Sequence, residues 1–312
     1  MPVFTRVVSG APFNGRRLDV YVAENLRLLS RSQIKARDLR AKVNGKNAKV
    51  SCPVKNGDVL ELAWEDSAPV DLVPENIPLD ILYEDARTIV INKPQGMVVH
   101  PGAGNWRGTF ANALYYRSLR QGSRPERDSA GEGLRPGIVH RLDKDTSGAM
   151  IAAYDDEALA FLAGQFKSGK AKKKYIAIVR GVPRERKGRM ETFIARDPRD
   201  RKRFAVAERG KSAVTFYSVL KTWRNHSLVL LRPRTGRTHQ LRVHMRHLGH
   251  PIAGDPLYGF PDPALPRVGL MLHARSLALV LPGAEGERVF KAPLPRRFVG
   301  ALARFDGRPL DG

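Results

Sequence analysis

Twelve residues near the middle of the chain, Gly137-Ile138-Val139-His140-Arg141-Leu142-Asp143-Lys144-Asp145-Thr146-Ser147-Gly148, restrict the possible folds more than any other stretch. They set a histidine, two basic residues, two aspartates and two hydroxyls between Ile138-Val139 and the apolar run Ala149-Met150-Ile151-Ala152-Ala153. Short apolar runs like these are buried as strands, which pins both ends of the polar segment. A loop anchored in this way holds a functional side chain rigidly. A charged surface turn between two strands would have the same composition.

Charge narrows the partners. The 312 residues carry 54 Lys and Arg against 31 Asp and Glu, a formal net charge of +23. That excess repels itself, and a polyanion is its natural counterpart: nucleic acid first, an acidic membrane surface second. No apolar run reaches the roughly 18 residues of a membrane span, and Met1-Pro2-Val3-Phe4-Thr5-Arg6 lacks the apolar core of a secretory signal. We therefore expect a cytoplasmic protein with no membrane partner. A single cysteine, Cys52, excludes an intrachain disulfide framework and an all-cysteine zinc site. With 42% hydrophobic residues, the chain is globular, and its length allows one large domain and a small one.

The small domain is expected at residues 1–65. Leu18, Tyr21, Val22, Leu26 and Leu29 recur at helical spacing. Ser30 stands three residues before Gln33, a capping-box pattern that opens a second helix through Ile34 and Leu39 carrying Arg31, Lys35, Arg37 and Arg40. Asn44-Gly45 then supplies a tight turn, and Val59-Leu60-Glu61-Leu62 an extended segment. Residues 66–80, with Pro69, Pro74 and Pro78, are expected to be a linker. The large domain follows at 81–312. Thr88-Ile89-Val90-Ile91 predicts a buried strand, Asp156 to Phe166 a helix, Lys172 to Val179 a strand carrying Tyr175, and Val214–Leu220 with Leu228–Leu231 an antiparallel pair. Residues 121–136 have the composition of a surface insertion. A turn at Gly236 leads into a helix ending near Gly249. From pattern alone the class is mixed α and β.

Four histidines at 239, 244, 247 and 250 raise the possibility of a metal site. Their spacing is not that of helical zinc sites, and Arg237, Arg242 and Arg246 lie among them, where guanidinium groups would repel a divalent ion. No metal is expected. The glycines of Asn92 to Gly104 lack phosphate-loop spacing, which argues against a nucleoside triphosphate site. What remains is the chemistry of a carboxylate, Asp143, set beside Arg141 and Lys144 and suited to act as nucleophile or proton acceptor.

Several of these motifs carry a resemblance. Arg17-Leu18-Asp19, Ser30-Arg31-Ser32-Gln33-Ile34, Val43-Asn44-Gly45-Lys46 and Val54-Lys55-Asn56-Gly57-Asp58 resemble the small RNA-binding module named after ribosomal protein S-four. His140-Arg141-Leu142-Asp143 with Thr146-Ser147-Gly148, the Asn92-to-Gly104 run, Lys173-x-Tyr175-x-Ala177-x-Val179-x-Gly181, and Gly236-Arg237-Thr238-His239-Gln240-Leu241-Arg242-Val243-His244 resemble the RluA-type RNA pseudouridine synthases. With the N-terminal module, the chain is most similar to the RluC/RluD-like subgroup acting on large-subunit ribosomal RNA. The resemblance implies an α+β catalytic domain on a mixed, largely antiparallel central sheet with flanking helices, preceded by a small α/β RNA-binding module.

It also implies a cofactor-free isomerisation of uridine to pseudouridine in which Asp143 attacks the flipped-out nucleotide. Tyr175 would stack on the uracil, Arg242 would pair with Asp143, and Arg141 would fill the gap left in the RNA. We assign Arg237 and His239 to shaping the pocket or holding RNA. His140 and Lys144 beside the carboxylate, with Arg31, Lys35 and Lys46 of the module, are assigned to RNA contact. A monomer is expected.

Overall fold

The computed structural model describes residues 3–10, 13–26, 28–29, 34, 37–64, 72–102, 104–122, 137–266 and 268–307. The chain divides into two compact units, Met1–Val70 and Asp71–Gly312. No helix among the described residues is long and apolar enough to cross a membrane.

In the first unit, β1 (Val3–Val7), β2 (Arg40–Val43), β3 (Lys46–Ala48) and β4 (Val59–Ala63) form an antiparallel sheet ordered β1-β4-β2-β3. Asn44 and Gly45, both at positive φ, make the tight turn from β2 to β3 that this dipeptide favours. The helical spacing at Leu18 yields less regular helix than expected. One turn, α1 (Leu18–Val20), widens into a π-helical turn over Tyr21–Asn25, where the Leu26 N–H bonds to the Tyr21 carbonyl. Leu18, Tyr21, Val22, Ile34, Leu60 and Leu62 are buried together. The proposed second helix and its Ser30/Gln33 cap lie mostly outside the described residues, as do Arg31 and Lys35, and the chain is already in a turn at Arg37 and Asp38. Lys46 is exposed on β3.

The second unit is built on a ten-stranded sheet. Its strands are β5 (Ile81–Glu84), β6 (Thr88–Lys93), β7 (Ser147–Ala153), β8 (Lys172–Arg180), β9 (Lys187–Arg196), β10 (Phe204–Ala207), β11 (Lys211–Thr222), β12 (His226–Pro233), β13 (Leu272–Val280) and β14 (Glu287–Lys291). The order is β10-β9-β11-β12-β8-β13-β7-β6-β5, with β14 on β13. Every described pairing is antiparallel except β13 with β7, which meet only at His273–Ser147 and Ala274–Gly148. Beyond that point β13 pairs with β14 instead, from Ser276 on. The short parallel seam joins two antiparallel halves, and the twelve-residue polar segment ends at it.

The second unit also holds α2 (Phe110–Arg120), α3 (Asp156–Ser168), α4 (Gln240–His247) and α5 (Arg296–Phe305). The capping box of α2 is internal: Asn112 N–H donates to Thr109 Oγ1 at 3.3 Å, and Thr109 N–H to Asn112 Oδ1 at 3.0 Å. Asn112 Nδ2 also donates to the Val73 carbonyl at 2.8 Å, and the Glu75 N–H to the Asn112 carbonyl at 3.1 Å. The described part of the expected linker, 72–80, has no regular secondary structure but is thus tied to this helix. Asp155 caps α3 through the Ala158 N–H at 2.7 Å, and Gly169 ends it at φ 74. Between α4 and β8, β11 and β12 lies the largest apolar cluster, with Val179, Tyr217, Leu231, Leu241 and Met245 buried in it. Residues 123–136, most of the expected insertion, lie outside the described residues.

Candidate active site

Asp143 sits in a turn just before β7, where the Thr146 N–H bonds back to the Asp143 carbonyl at 3.1 Å. All of Ser147–Ala153 is buried, which fixes the C-terminal end of the loop. At Gly148, φ is 119°, and a Cβ there would stand 2.3 Å from the Ala274 carbonyl oxygen. Only glycine fits this seam. The loop is also held from beneath by Lys93, which is fully buried: its Nζ donates to the carbonyls of Pro94 at 2.9 Å, Met97 at 2.8 Å and Lys144 at 3.0 Å. Burial pushes its ammonium down to about 7, while Asp145 and Asp143 pull the other way.

Arg242 projects from α4 and is only 4% exposed. The helix start is set by Gln240, whose amide donates to Thr215 Oγ1 at 2.9 Å and accepts from the Arg237 N–H at 3.0 Å. Two arms of the Arg242 guanidinium grip Asp255 at 2.7 Å each, a bidentate pairing with fixed geometry. The Asp255 side chain is wholly buried and also accepts the N–H groups of Leu257 and Tyr258 at 2.9 and 3.0 Å. The remaining nitrogen, Nη1, reaches Asp143 Oδ2 at 3.4 Å. Asp143 thus meets a cation whose orientation is set by another carboxylate.

Tyr175 lines the same pocket from β8. Its hydroxyl has no hydrogen-bond partner among the described residues. Burial pushes the phenol pKa up, and the charge of Asp143 adds to this, so it stays protonated near neutral pH. The pocket has a volume of about 390 Å³ and is walled by Val139–Asp143, Lys173, Tyr175 and Thr235–Arg242. Arg141 and Arg237 line it and are exposed, and Arg237 Nε is held by the Ser212 carbonyl at 2.9 Å. His239, at φ 56°, precedes α4; its Nδ1 meets the Tyr258 hydroxyl at 2.9 Å, and burial lowers its pKa.

His140 stacks on Phe166 at 4.4 Å, and its Nε2 accepts the Ile151 N–H at 3.2 Å. Burial, with Lys173 nearby, lowers it to about 3, so at neutral pH it is a neutral wall residue. The Lys144 side chain is exposed and lies off the pocket wall, while its carbonyl takes the Lys93 and Gly96 donors. Lys46 lies in the other unit. The pocket therefore unites Asp143, Tyr175, Arg242, Arg141, His140, Arg237 and His239.

Sequence reading missed Asp255 and Lys93. Asp255 stands in the Gly/Pro-bounded loop after α4, and its place as the first acidic residue after Glu208 was the available signal. Lys93 opens a run that reads as loop, with nothing to mark its ammonium as buried. The histidine cluster diverges instead of converging. Thr192 and Thr215 bracket His244, and His250 Nδ1 lies 2.9 Å from the Arg180 carbonyl. Among the described residues no group of three His, Cys, Asp or Glu is placed to hold a metal ion.

His244 and His273 are fully buried, and burial holds both at about 4. Their unfolded value is about 6.5, so below that pH the unfolded chain takes protons that the folded one refuses. The stabilisation is complete above pH 6.5 and is lost as pH falls toward 4, each histidine adding at most about 1.4 kcal/mol per pH unit. We expect the thermal midpoint to fall between pH 7 and 4.5, and His244→Gln and His273→Gln to flatten that fall. Equal slopes in wild type and variants would contradict this.

A buried guanidinium, the partly exposed carboxylate it contacts and a protonated phenol thus share one basic cleft. The sequence profile of the RNA pseudouridylate synthase family matches residues 87–247. The chain belongs to that family, and is an enzyme of the isomerase class. It is similar to the ribosomal large subunit pseudouridine synthase D of Borreliella burgdorferi, 46% identical over 301 residues, covering 94% of this chain and 90% of that protein. The protein of the same name from Xylella fastidiosa is 44% identical over 259 residues, covering 82% of this chain and 74% of its own. Among solved structures, human RNA pseudouridylate synthase domain containing 4 superposes with TM-score 0.57 and 31% identity, over 72% of this chain and 92% of that one.

Proposed function

We propose that this synthase isomerises uridines of large-subunit ribosomal RNA, with Asp143 as the attacking carboxylate. The contact of Asp143 with Arg242, inside a cleft shared with Tyr175, supports that role most directly. The target comes from the names of the similar bacterial proteins. The uridine leaves its stack at a cost of a few kcal/mol, less in a loop or bulge. Asp143 then adds either to carbon 6 of the ring or to carbon 1′ of the sugar. In both routes the N1–C1′ bond breaks, the base turns and C5 bonds to C1′; the bond to Asp143 breaks again, which restores the carboxylate, while the C5 proton leaves and N1 gains one. Tyr175 stacks on the uracil and takes part in removal of the C5 proton. Arg242 keeps the carboxylate aimed, Arg141 fills the space the nucleotide vacates, and Arg237, His239, His140 and Lys144 contact the RNA around it. No cofactor or metal enters the reaction.

The N-terminal unit, residues 1–65, adds RNA affinity and placement through Arg31, Lys35 and Lys46 without touching the chemistry. The enzyme works in the cytoplasm as a monomer. Tritium release from carbon-5-labelled uridine in a large-subunit transcript tests the reaction. We expect release to persist after EDTA stripping in magnesium-free buffer, and a disappearance of activity that a divalent ion restores would contradict the metal-free chemistry. Mapping pseudouridines in cells with and without the gene identifies the target. Unchanged ribosomal RNA would remove that part of the reading.

A further inference from the structure

Past Lys173 and Pro233, which wall both spaces, the catalytic cleft adjoins a second groove of about 350 Å³. Phe216, Arg232 and Lys174 alternate along their strands with Tyr217, Leu231 and Tyr175, so this groove lies on the other face of the sheet and is reached around the strand ends. Lys174, Phe216, Arg232 and Arg234 line this groove. It forms where β8 begins and β12 ends, one residue beyond the Leu231–Tyr175 pair. Phe216 of β11 is paired directly with Arg232, which puts the ring and the guanidinium side by side on one face.

Lys174, Arg232 and Arg234 are exposed, and none has a carboxylate partner among the described residues. Arg232 makes one bond, to Ser218 Oγ at 3.3 Å. Lys172, which also lines the groove, is paired with Glu287 at 2.7 Å, which leaves the other three cations for an incoming anion. Unpaired cations crowded this closely repel one another unless an anion joins them. Cations flanking a partly buried aromatic ring make the arrangement that takes single-stranded nucleic acid, with phosphate on the charges and base on the ring.

We propose that this groove is a second nucleotide subsite for an unpaired residue flanking the target uridine. Its phosphate sits among Lys174, Arg232 and Arg234, and its base stacks on Phe216. The proposal rests on the RNA-modifying reading of the adjoining cleft and extends it. An RNA strand with one nucleotide everted at Asp143 must leave the cleft, and this exit offers charge free to receive it. A target held in a continuous duplex could not reach the ring, so the subsite selects for unpaired flanks.

The test uses the full chain and a large-subunit ribosomal RNA transcript, with Lys174→Ala/Arg234→Ala and Phe216→Ala as variants and circular dichroism to establish folding. Both KM and the filter-binding Kd are measured. We expect Phe216→Ala to raise KM and Kd by about 5- to 100-fold, with kcat within twofold. The double variant should also flatten the plot of log affinity against log salt by about 0.7 for each RNA phosphate it no longer neutralises. Unchanged Kd and salt slope in both variants would overturn the subsite. Wild type that binds the transcript without isomerising it would count against the target proposed above, while the Kd comparison still decides the subsite.

Discussion

Asp143→Asn is expected to lower tritium release by about 10⁴-fold or more, the scale on which removal of an attacking group acts, while RNA affinity stays within about threefold. The substitution keeps the shape of the side chain and removes its charge. Arg242 gives up only a 3.4 Å hydrogen bond and keeps both bonds to Asp255, so the fold is undisturbed. In the proposed reading RNA is held by Arg141, Arg237 and the wider basic surface, and removing one negative charge among them does not weaken phosphate binding. Filter binding and tritium release on one transcript separate the two quantities. Release within tenfold of wild type would take Asp143 out of the chemistry.

The second large effect is on stability as well as rate. Arg242→Met leaves the fully buried Asp255 carboxylate without its cation, a change that costs about 3–5 kcal/mol. In a unit of this size each kcal/mol lowers the thermal midpoint by about 2–4 °C, so a fall of roughly 6–20 °C follows. Asp255→Asn alone removes the same pairing from the other side. The double variant Arg242→Met/Asp255→Leu recovers part of the midpoint, because no buried charge is left alone, yet stays inactive because Asp143 is without its guide. A midpoint within 2 °C of wild type in Arg242→Met would show that the pair is not a structural anchor. Recovery of activity in the double variant would show that Arg242 does not act on Asp143.

These two residues also mark how far the sequence could be read. Asp143 was legible because its loop runs into an apolar stretch, and Ser147–Ala153 is a strand buried throughout; the leading Ile138-Val139, expected to be buried and strand-like, is only half-buried and makes a single bridge, Ile138 with Ala152. The Asn-Gly turn, the Asp156–Ser168 helix and the β11–β12 pair followed from equally local rules. Where a local rule met a crowded core it gave way, as at Leu18–Asn25, where a π-helical turn brings Tyr21 and Val22 inward together. Strands with weak alternation, such as Ile81–Glu84 and Glu287–Lys291, left little periodic signal.

The amino-acid sequence by itself determined the polyanionic partner, through an excess of 23 positive charges, and it determined the motifs that carry family membership and the carboxylate among them. Tertiary structure decided which cation serves that carboxylate and how firmly. Asp143 and Arg242 are 99 residues apart, and the ion pair that fixes the guanidinium is made with Asp255 across a loop. It also decided that Lys93 is a buried tie beneath the loop and that three of the four neighbouring histidines, His239, His244 and His250, go to different partners. Residue type and spacing record what a side chain can do. Burial, and the partners that burial forces on a charge, depend on segments distant in the chain and are fixed only when the sheet halves close at their parallel seam.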